Sequence, residues 1–293
     1  MKASQLIFTT VNTMTQLSDQ KDDYIQMHTH AGACAVISLH GGHLLSWKPL
    51  PHSQEQLYLS KTAVLDGSAA IRGGVPILFP HFGSQANSPN HGFARLMNWQ
   101  FVARITDDNS DTVHLELSNN AQTKEFWRAD FNLRLIVTLF DSSIDMHYEV
   151  TNTGDKKFSF SGGLHTYLLT HEISKTRLSG LHQCAYIEAG NDYQEQQQLV
   201  EITCHTDRVY FTGDNETLLQ LISPKRCILI ESSGFNQTVL WNPWVEGAEQ
   251  IKDMENHDYL KMLCVESVLA TEKICLQAGQ SWSGSQRLKT QES

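Results

Sequence analysis

Arg72, His91 and Arg95 fall in one short segment, separated by glycines and prolines and otherwise surrounded by apolar or small residues. A guanidinium is a planar fork that fits a phosphate or carboxylate, so two of them in one loop suggest an anion clamp. Gly73 and Gly74 allow a tight turn or a close approach of backbone to ligand, and Pro76 and Pro80 stiffen the path. Three other segments hold titratable residues of types that could transfer protons. His165 follows the glycine pair 162–163 and is framed by Leu164, Tyr167 and Leu168. Glu266 lies between Val265 and Ser267 in the apolar run KMLCVESVLA (261–270), where an ionised carboxylate needs partners if the strand is buried. Asp207 opens the strand-like run TDRVYF (206–211). Trp241 and Trp244, in LWNPWVEG, offer aromatic faces of the kind that pack on sugar rings. Taken singly, each has a plainer reading. The arginines could pair with a local Asp, His91 could cap a turn, His165 could be a satisfied core residue, Asp207 could bridge to Arg208, and the tryptophans could close a core edge.

The elements that must hold these groups read as strands. In Phe131–Phe140 the apolar residues Phe131, Leu133, Leu135, Val137 and Leu139 alternate with Asn132, Arg134 and Thr138. Residues 112–118 and 143–150 alternate in the same way, and turn clusters at 107–111, 140–143 and 151–157 separate the runs. Further strands are expected at 33–41, 218–223, 227–232 and 237–242. The helical i, i+3, i+4 spacing is missing from these runs, and no amphipathic helix longer than three turns is expected. Short strands with frequent turns predict an all-β chain, an antiparallel sandwich or barrel, as a single domain over residues 1–293.

Composition narrows the partners. The 293 residues carry 22 Lys and Arg against 32 Asp and Glu, a formal charge of −10, with no basic run. Nucleic acid and anionic membranes are therefore not expected partners. Polar residues interrupt the N-terminal MKASQLIFTTVNTMTQL, so no signal peptide is expected there. The six cysteines form no C-x-x-C pair, which reads as free thiols in a cytoplasmic protein. One metal-type pattern exists, His28-Thr29-His30 together with His40 and His43. It lacks the glutamate that a cupin would place shortly after H-x-H, so these histidines are expected to face solvent and to hold no metal.

Seven blocks in order resemble the glucose-6-phosphate 1-epimerases, the hexose-phosphate mutarotases of the aldose 1-epimerase superfamily. They are GGHLLSWKP (41–49), IRGGVPILFPHFG (71–83), HGFAR (91–95), LHTYL (164–168), TDRVY (206–210), WNPW (241–244) and CVES (264–267). Two departures stand out. Phe79-Pro80-His81-Phe82-Gly83 replaces the common W-P-W-F-G, which could change the pocket wall at His81, and Ser267 replaces the proline that often follows C-V-E. The resemblance implies a galactose mutarotase-like (supersandwich) β-sandwich. It implies His165 as general acid at the ring oxygen and Glu266 as general base at the anomeric hydroxyl. It also implies that His91 binds and orients the sugar, that Asp207 holds a sugar hydroxyl or supports the acid, that Trp241 belongs to the substrate-binding wall, and that Arg72 and Arg95 clasp the phosphate.

Such a reaction uses a small sugar phosphate and no metal or other cofactor, and since nothing in the sequence demands a dimer, a monomer is expected. A histidine begins near pKa 6.5, so the acid role leads to the expectation that nearby carboxylates raise His165 toward or above neutrality. Two alternatives keep the fold: an epimerase for free aldoses, which needs no clamp, and a non-catalytic carbohydrate-binding sandwich.

Overall fold

Phe131–Leu139 alternates buried and half-buried positions along its whole length, and Ser143–Asn152 beside it follows nearly the same rhythm. That period of two is what one sheet face pressed on a core requires. The computed structural model describes residues 23–50, 54–213, 216–224 and 226–291. The N-terminal stretch read above for a signal peptide lies outside the described residues.

In chain order the strands are β1 (Tyr24–His28), β2 (Cys34–Ser38), β3 (His43–Lys48), β4 (Ile77–Leu78), β5 (Gln100–Thr106), β6 (Asp111–Ser118), β7 (Phe131–Leu139), β8 (Ser143–Asn152), β9 (Phe158–Leu164) and β10 (Tyr167–Leu169). They continue as β11 (Arg177–Ser179), β12 (Ala185–Glu188), β13 (Asn191–Gln194), β14 (Leu199–Glu201), β15 (Thr206–Phe211), β16 (Thr217–Ser223), β17 (Arg226–Ser233), β18 (Gln237–Asn242), β19 (Met262–Leu276) and β20 (Ser281–Gln291). The α-helices among the described residues are short, α1 (Ala121–Phe126) and α2 (Trp244–Gln250). No helix among them is long and apolar enough to cross a membrane.

Every paired strand runs antiparallel to its neighbour. A nine-stranded sheet has the order β14-β11-β16-β17-β20-β8-β7-β6-β5. An eight-stranded sheet has the order β13-β12-β15-β18-β19-β9-β4, with β10 also on β19, and β1-β2-β3 form a third sheet. Leu133, Leu135, Ile228 and Leu288 from the nine-stranded sheet share one buried cluster with Phe160, Leu240, Leu263 and Val265 from the eight-stranded sheet. Each such side chain contributes about 1.5–3 kcal/mol on burial. This is the antiparallel sandwich that the alternation predicts.

The core fixes the other face by alternation. On β19, Leu263, Val265 and Leu269 enter the inter-sheet core, so Cys264 and Glu266 project to the outer face of the eight-stranded sheet. Register extends that face sideways. Cys264 stands opposite Tyr167 on β10 and Trp241 on β18, and Trp241 stands opposite Asp207 on β15.

Close backbone approach shapes the adjoining strands. Gly162 and Gly163 on β9 have φ of 143° and 152°, and a Cβ on them would lie 2.0 Å from the Leu78 carbonyl oxygen and 2.2 Å from that of Ser267. Only glycine lets β4 and β19 close on β9 at that point. Polar cross-links then tie the two sheets under the same strand. Gln286 on β20 donates to the Val265 carbonyl (3.3 Å) and to Ser267 Oγ (2.7 Å), and accepts a short hydrogen bond from Thr166 Oγ1. Ser267 also bonds Ser232 (2.6 Å). The serine that stands in place of the family's proline therefore supplies a hydroxyl between the sheets.

The histidines of the metal-type pattern divide. His28 and His30 are exposed as expected, but His40 and His43 are buried, which corrects that expectation for the second pair. The reason is local hydrogen bonding: His43 Nε2–H donates to the Gly73 carbonyl (2.7 Å) and His40 Nε2–H to that of Ala69 (3.0 Å). They stitch β3 and the segment before it to the glycine-rich loop.

Candidate active site

Glu266 leaves the outer face of the eight-stranded sheet at 2% exposure, and His165 meets it from the break between β9 and β10 at 8% exposure. His165 Nε2 lies 3.3 Å from Glu266 Oε1. The imidazole is stacked on Tyr167, with ring centres 4.7 Å apart and planes 9° apart, and it abuts Trp241 edge to face. Its backbone N–H is fixed to the Pro76 carbonyl (3.0 Å). One cavity of about 330 Å³ is lined by Arg72, His91, Arg95, His165, Asp207, Trp241 and Glu266, seven of the residues singled out from the sequence. That volume lies at the small end of the range for small-molecule sites, fitting a ligand of monosaccharide size. A larger cavity, of about 500 Å³, opens on the outer face of the nine-stranded sheet beside Asp145, His147 and Arg287. Among the described residues that line it, no histidine pairs with a carboxylate.

The sequence could not give the pair's separation. His165 and Glu266 touch side by side on the cavity's floor. Contact suits groups that must serve two oxygens bonded to one carbon, as the ring and anomeric oxygens of a pyranose are.

The loop from Arg72 to Arg95 folds as a wall around this floor. Arg72 donates from Nε to Asp253 Oδ1 (3.2 Å) and from Nη1 to the Tyr167 hydroxyl (3.0 Å). It therefore pairs with a distant carboxylate on the loop after α2 rather than with a local one. Arg95 Nη2 donates to the Asn90 carbonyl (2.7 Å). His91 adopts a left-handed conformation (φ 61°), and its Nδ1 accepts from the Gly83 N–H (3.2 Å). The proton of the neutral ring therefore sits on Nε2, available as a donor. Asp207 does not bridge to Arg208, which instead pairs with Glu188 and Glu195. Trp244 packs against Tyr259 and the core, so Trp241 alone of the two tryptophans reaches the cavity. His81 is buried, bonded to Ser88 Oγ (2.8 Å) and the Gly83 carbonyl (3.2 Å). It braces the loop behind Phe82 and Gly83 and does not line the cavity.

Electrostatics overturn one expectation. His165 is pushed well below the ordinary histidine value, first by burial and then by His91, Arg95 and Arg72. Glu266 is pushed well above the ordinary carboxylate value, first by burial and then by Asp207, with Arg95 opposing. The carboxylates therefore do not raise His165 in the ligand-free site; loss of water and three neighbours that carry or can acquire positive charge outweigh them. His91 is lowered to about 3, chiefly by burial and then by Arg95. Asp207 is raised by burial. Burial thus favours an imidazole without its second proton beside a carboxyl group that keeps its own.

Several contributors were not among the candidate site residues of the sequence. Tyr167 and Asn90 line the cavity, Asp253 aligns Arg72, and Gln286 braces the chain on both sides of Glu266. Tyr167 lies two residues beyond His165, and a tyrosine beside a candidate acid is the one signal that could have flagged it.

A supersandwich whose outer sheet face holds a touching His–Glu pair in a sugar-sized cavity has the form of a carbohydrate mutarotase. The aldose 1-epimerase family model matches residues 23–289, and the chain belongs to that family. A Cenchrus ciliaris protein is 31% identical over 262 residues, spanning 86% of this chain and 79% of that protein. An Escherichia coli protein is 32% identical over 248 residues, spanning 83% and 82%. Both bear the name "Putative glucose-6-phosphate 1-epimerase". A crystal structure from Salmonella typhimurium, of a "putative mutarotase", superposes with a TM-score of 0.84 at 27% identity, covering 92% of this chain and 90% of that one.

Proposed function

We propose that this chain interconverts the α and β anomers of a hexose 6-phosphate, glucose 6-phosphate foremost. The observation that carries the reading is the contact of His165 Nε2 with Glu266 Oε1 in a cavity that also holds Arg72 and Arg95. In the ring-closed complex, Glu266 takes the proton from the anomeric hydroxyl while His165 gives one to the ring oxygen. The C1–O5 bond opens, the aldehyde turns about C1–C2, and the ring closes on the opposite face as each proton returns. Each positioned transfer accelerates the reaction about 10²–10⁴-fold. His91 Nε2–H and Asp207 hold hydroxyls, and Trp241 packs against the sugar. All these groups come from one chain, so the reaction needs no second copy.

The clamp has a second consequence in this reading. A carboxyl beside a neutral imidazole is the protonation state that faces the open-chain aldehyde, whereas a closed sugar requires the ionised pair. A phosphate dianion on Arg72 and Arg95 cancels the positive field that opposes an imidazolium at His165. The proton then crosses the 3.3 Å contact from Glu266 to His165, and the cycle begins. A free aldose brings no such charge, which favours the phosphorylated substrate over the clamp-free alternative.

Two-dimensional exchange NMR on glucose 6-phosphate and on glucose tests the assignment. Arg95→Ala is expected to slow anomer exchange of the phosphate ester at least about 100-fold while changing that of glucose little. Equal losses on both sugars would remove the clamp from the account.

A further inference from the structure

We propose that His165, Cys264 and Glu266 form a binding site for a thiophilic divalent ion of the zinc class, and that the ion blocks the acid–base pair when it binds. Cys264 and Glu266 sit two residues apart on β19 and so share the outer face of the sheet, while His165 arrives from the neighbouring strand break. One ligand-type atom from each of the three lies within 4.8 Å of the other two, and all three residues are buried.

The His165–Glu266 separation of 3.3 Å matches the edge of a tetrahedron with metal–ligand bonds of about 2.0–2.2 Å. With a Zn–S bond of about 2.3 Å the sulfur stands about 3.5 Å from the other ligand atoms, so Cys264 closes by up to roughly 1.3 Å from the 4.8 Å within which the three atoms lie. Within the protein, the second Glu266 carboxylate oxygen is buried without a hydrogen-bond partner, so the carboxylate is incompletely satisfied by its own surroundings. His165 and Glu266 line the cavity, from which water or a sugar hydroxyl would supply a fourth ligand.

The donor set selects the ion. Thiolate with imidazole favours zinc, cobalt and cadmium over magnesium and calcium, which prefer oxygen ligands. Arg72 and Arg95 oppose a cation, and the two negative charges of a thiolate and a carboxylate offset the ion's own charge. As the metal–sulfur bond forms, the Cys264 thiol loses its proton to solvent, Glu266 loses any proton it holds, and the imidazole contributes its lone pair. No redox change accompanies binding. Ligand identities alone define the site; only the inhibition rests on the acid–base reading above.

The test titrates the full chain with Co²⁺ and follows the thiolate-to-cobalt charge-transfer band, then displaces cobalt with Zn²⁺. The wild type is expected to develop the band, and Zn²⁺ is expected to stop its anomer exchange. Cys264→Ala is expected to lose the band, to weaken Zn²⁺ binding at least about 100-fold, and to keep exchanging anomers in the presence of Zn²⁺. Cys264→Ser, with a hydroxyl in place of the thiol, is expected to behave like the alanine variant and checks that lost packing is not the cause. No band in the wild type, or a band that persists in Cys264→Ala through Cys204 or Cys275, overturns the site. A band together with undiminished exchange under saturating Zn²⁺ overturns the inhibition. A band in a wild type that never exchanges anomers upholds the metal site and counts against the catalytic reading instead.

Discussion

Glu266→Gln should make the protein less active and more stable. At 2% exposure, Glu266 has lost its water, and burial together with Asp207 holds its pKa above the ordinary carboxylate range. A raised carboxyl binds its proton more tightly in the folded chain than in the unfolded one. The fold is therefore unpenalised below the unfolded value and loses stability as pH climbs through the window up to the folded value. The loss is about 1.4 kcal/mol per pH unit across that window. Glutamine keeps the shape and the contact with His165 but carries no charge, so the penalty vanishes. For a chain of this length about 1 kcal/mol moves Tm by roughly 2 °C, so the variant's advantage should widen by about 3 °C per pH unit within the window. The assay is paired thermal melts of wild type and variant from about pH 5 to about pH 8, with anomer exchange measured on the same samples. Exchange should fall about 10²–10⁴-fold in the variant. A variant that melts below the wild type at the alkaline end, or a gap that does not grow with pH, would refute a buried carboxylate held against its solvation.

Inorganic phosphite should speed anomer exchange of free glucose by occupying Arg72 and Arg95, and Arg95→Ala should abolish that rescue; kinetics that ignore phosphite would sever the clamp from the protonation of the pair. Gln286→Leu leaves the Val265 carbonyl, Ser267 and Thr166 short of a partner. It should cost roughly 1–3 kcal/mol in denaturant melts and lower kcat with little change in KM, because Gln286 positions Glu266 and His165 without touching sugar; a stability loss with unchanged kcat would leave it a purely structural strut. Gly92→Ala should be severely destabilising, since φ is +75° and the added Cβ would lie 2.0 Å from the Phe79 carbonyl oxygen; a variant with wild-type melting would contradict that packing.

The strands were legible because β7, β8 and their neighbours bury one face, and burial of one face writes a period of two into the sequence. Hairpin β12–β13 was not, because its residues are half-buried or exposed and Asn191, Asp192 and Gln194 break any alternation. The candidate site residues could be named because several types are unusual where they stand, a glutamate in an apolar strand, a histidine after paired glycines and arginines among prolines, and because seven blocks in order resemble one family. Their geometry could not. Whether His165 gains or loses a proton depends on how much water the fold removes and on Arg72 and Arg95 arriving from a distant loop. Asp253 and Gln286 look like ordinary polar residues until topology sets them against Arg72 and the flanks of Glu266. His43 misled for the same reason, since its burial comes from the Gly73 turn and not from its own neighbours in sequence.

Anomer exchange of glucose 6-phosphate, measured by two-dimensional exchange NMR with catalytic amounts of the wild-type chain, tests the central claim most directly. The account predicts cross-peaks between α and β anomers far above the spontaneous rate, and much weaker acceleration for glucose at equal concentration. Exchange of the phosphate ester at the uncatalysed rate, from a folded chain, would contradict it.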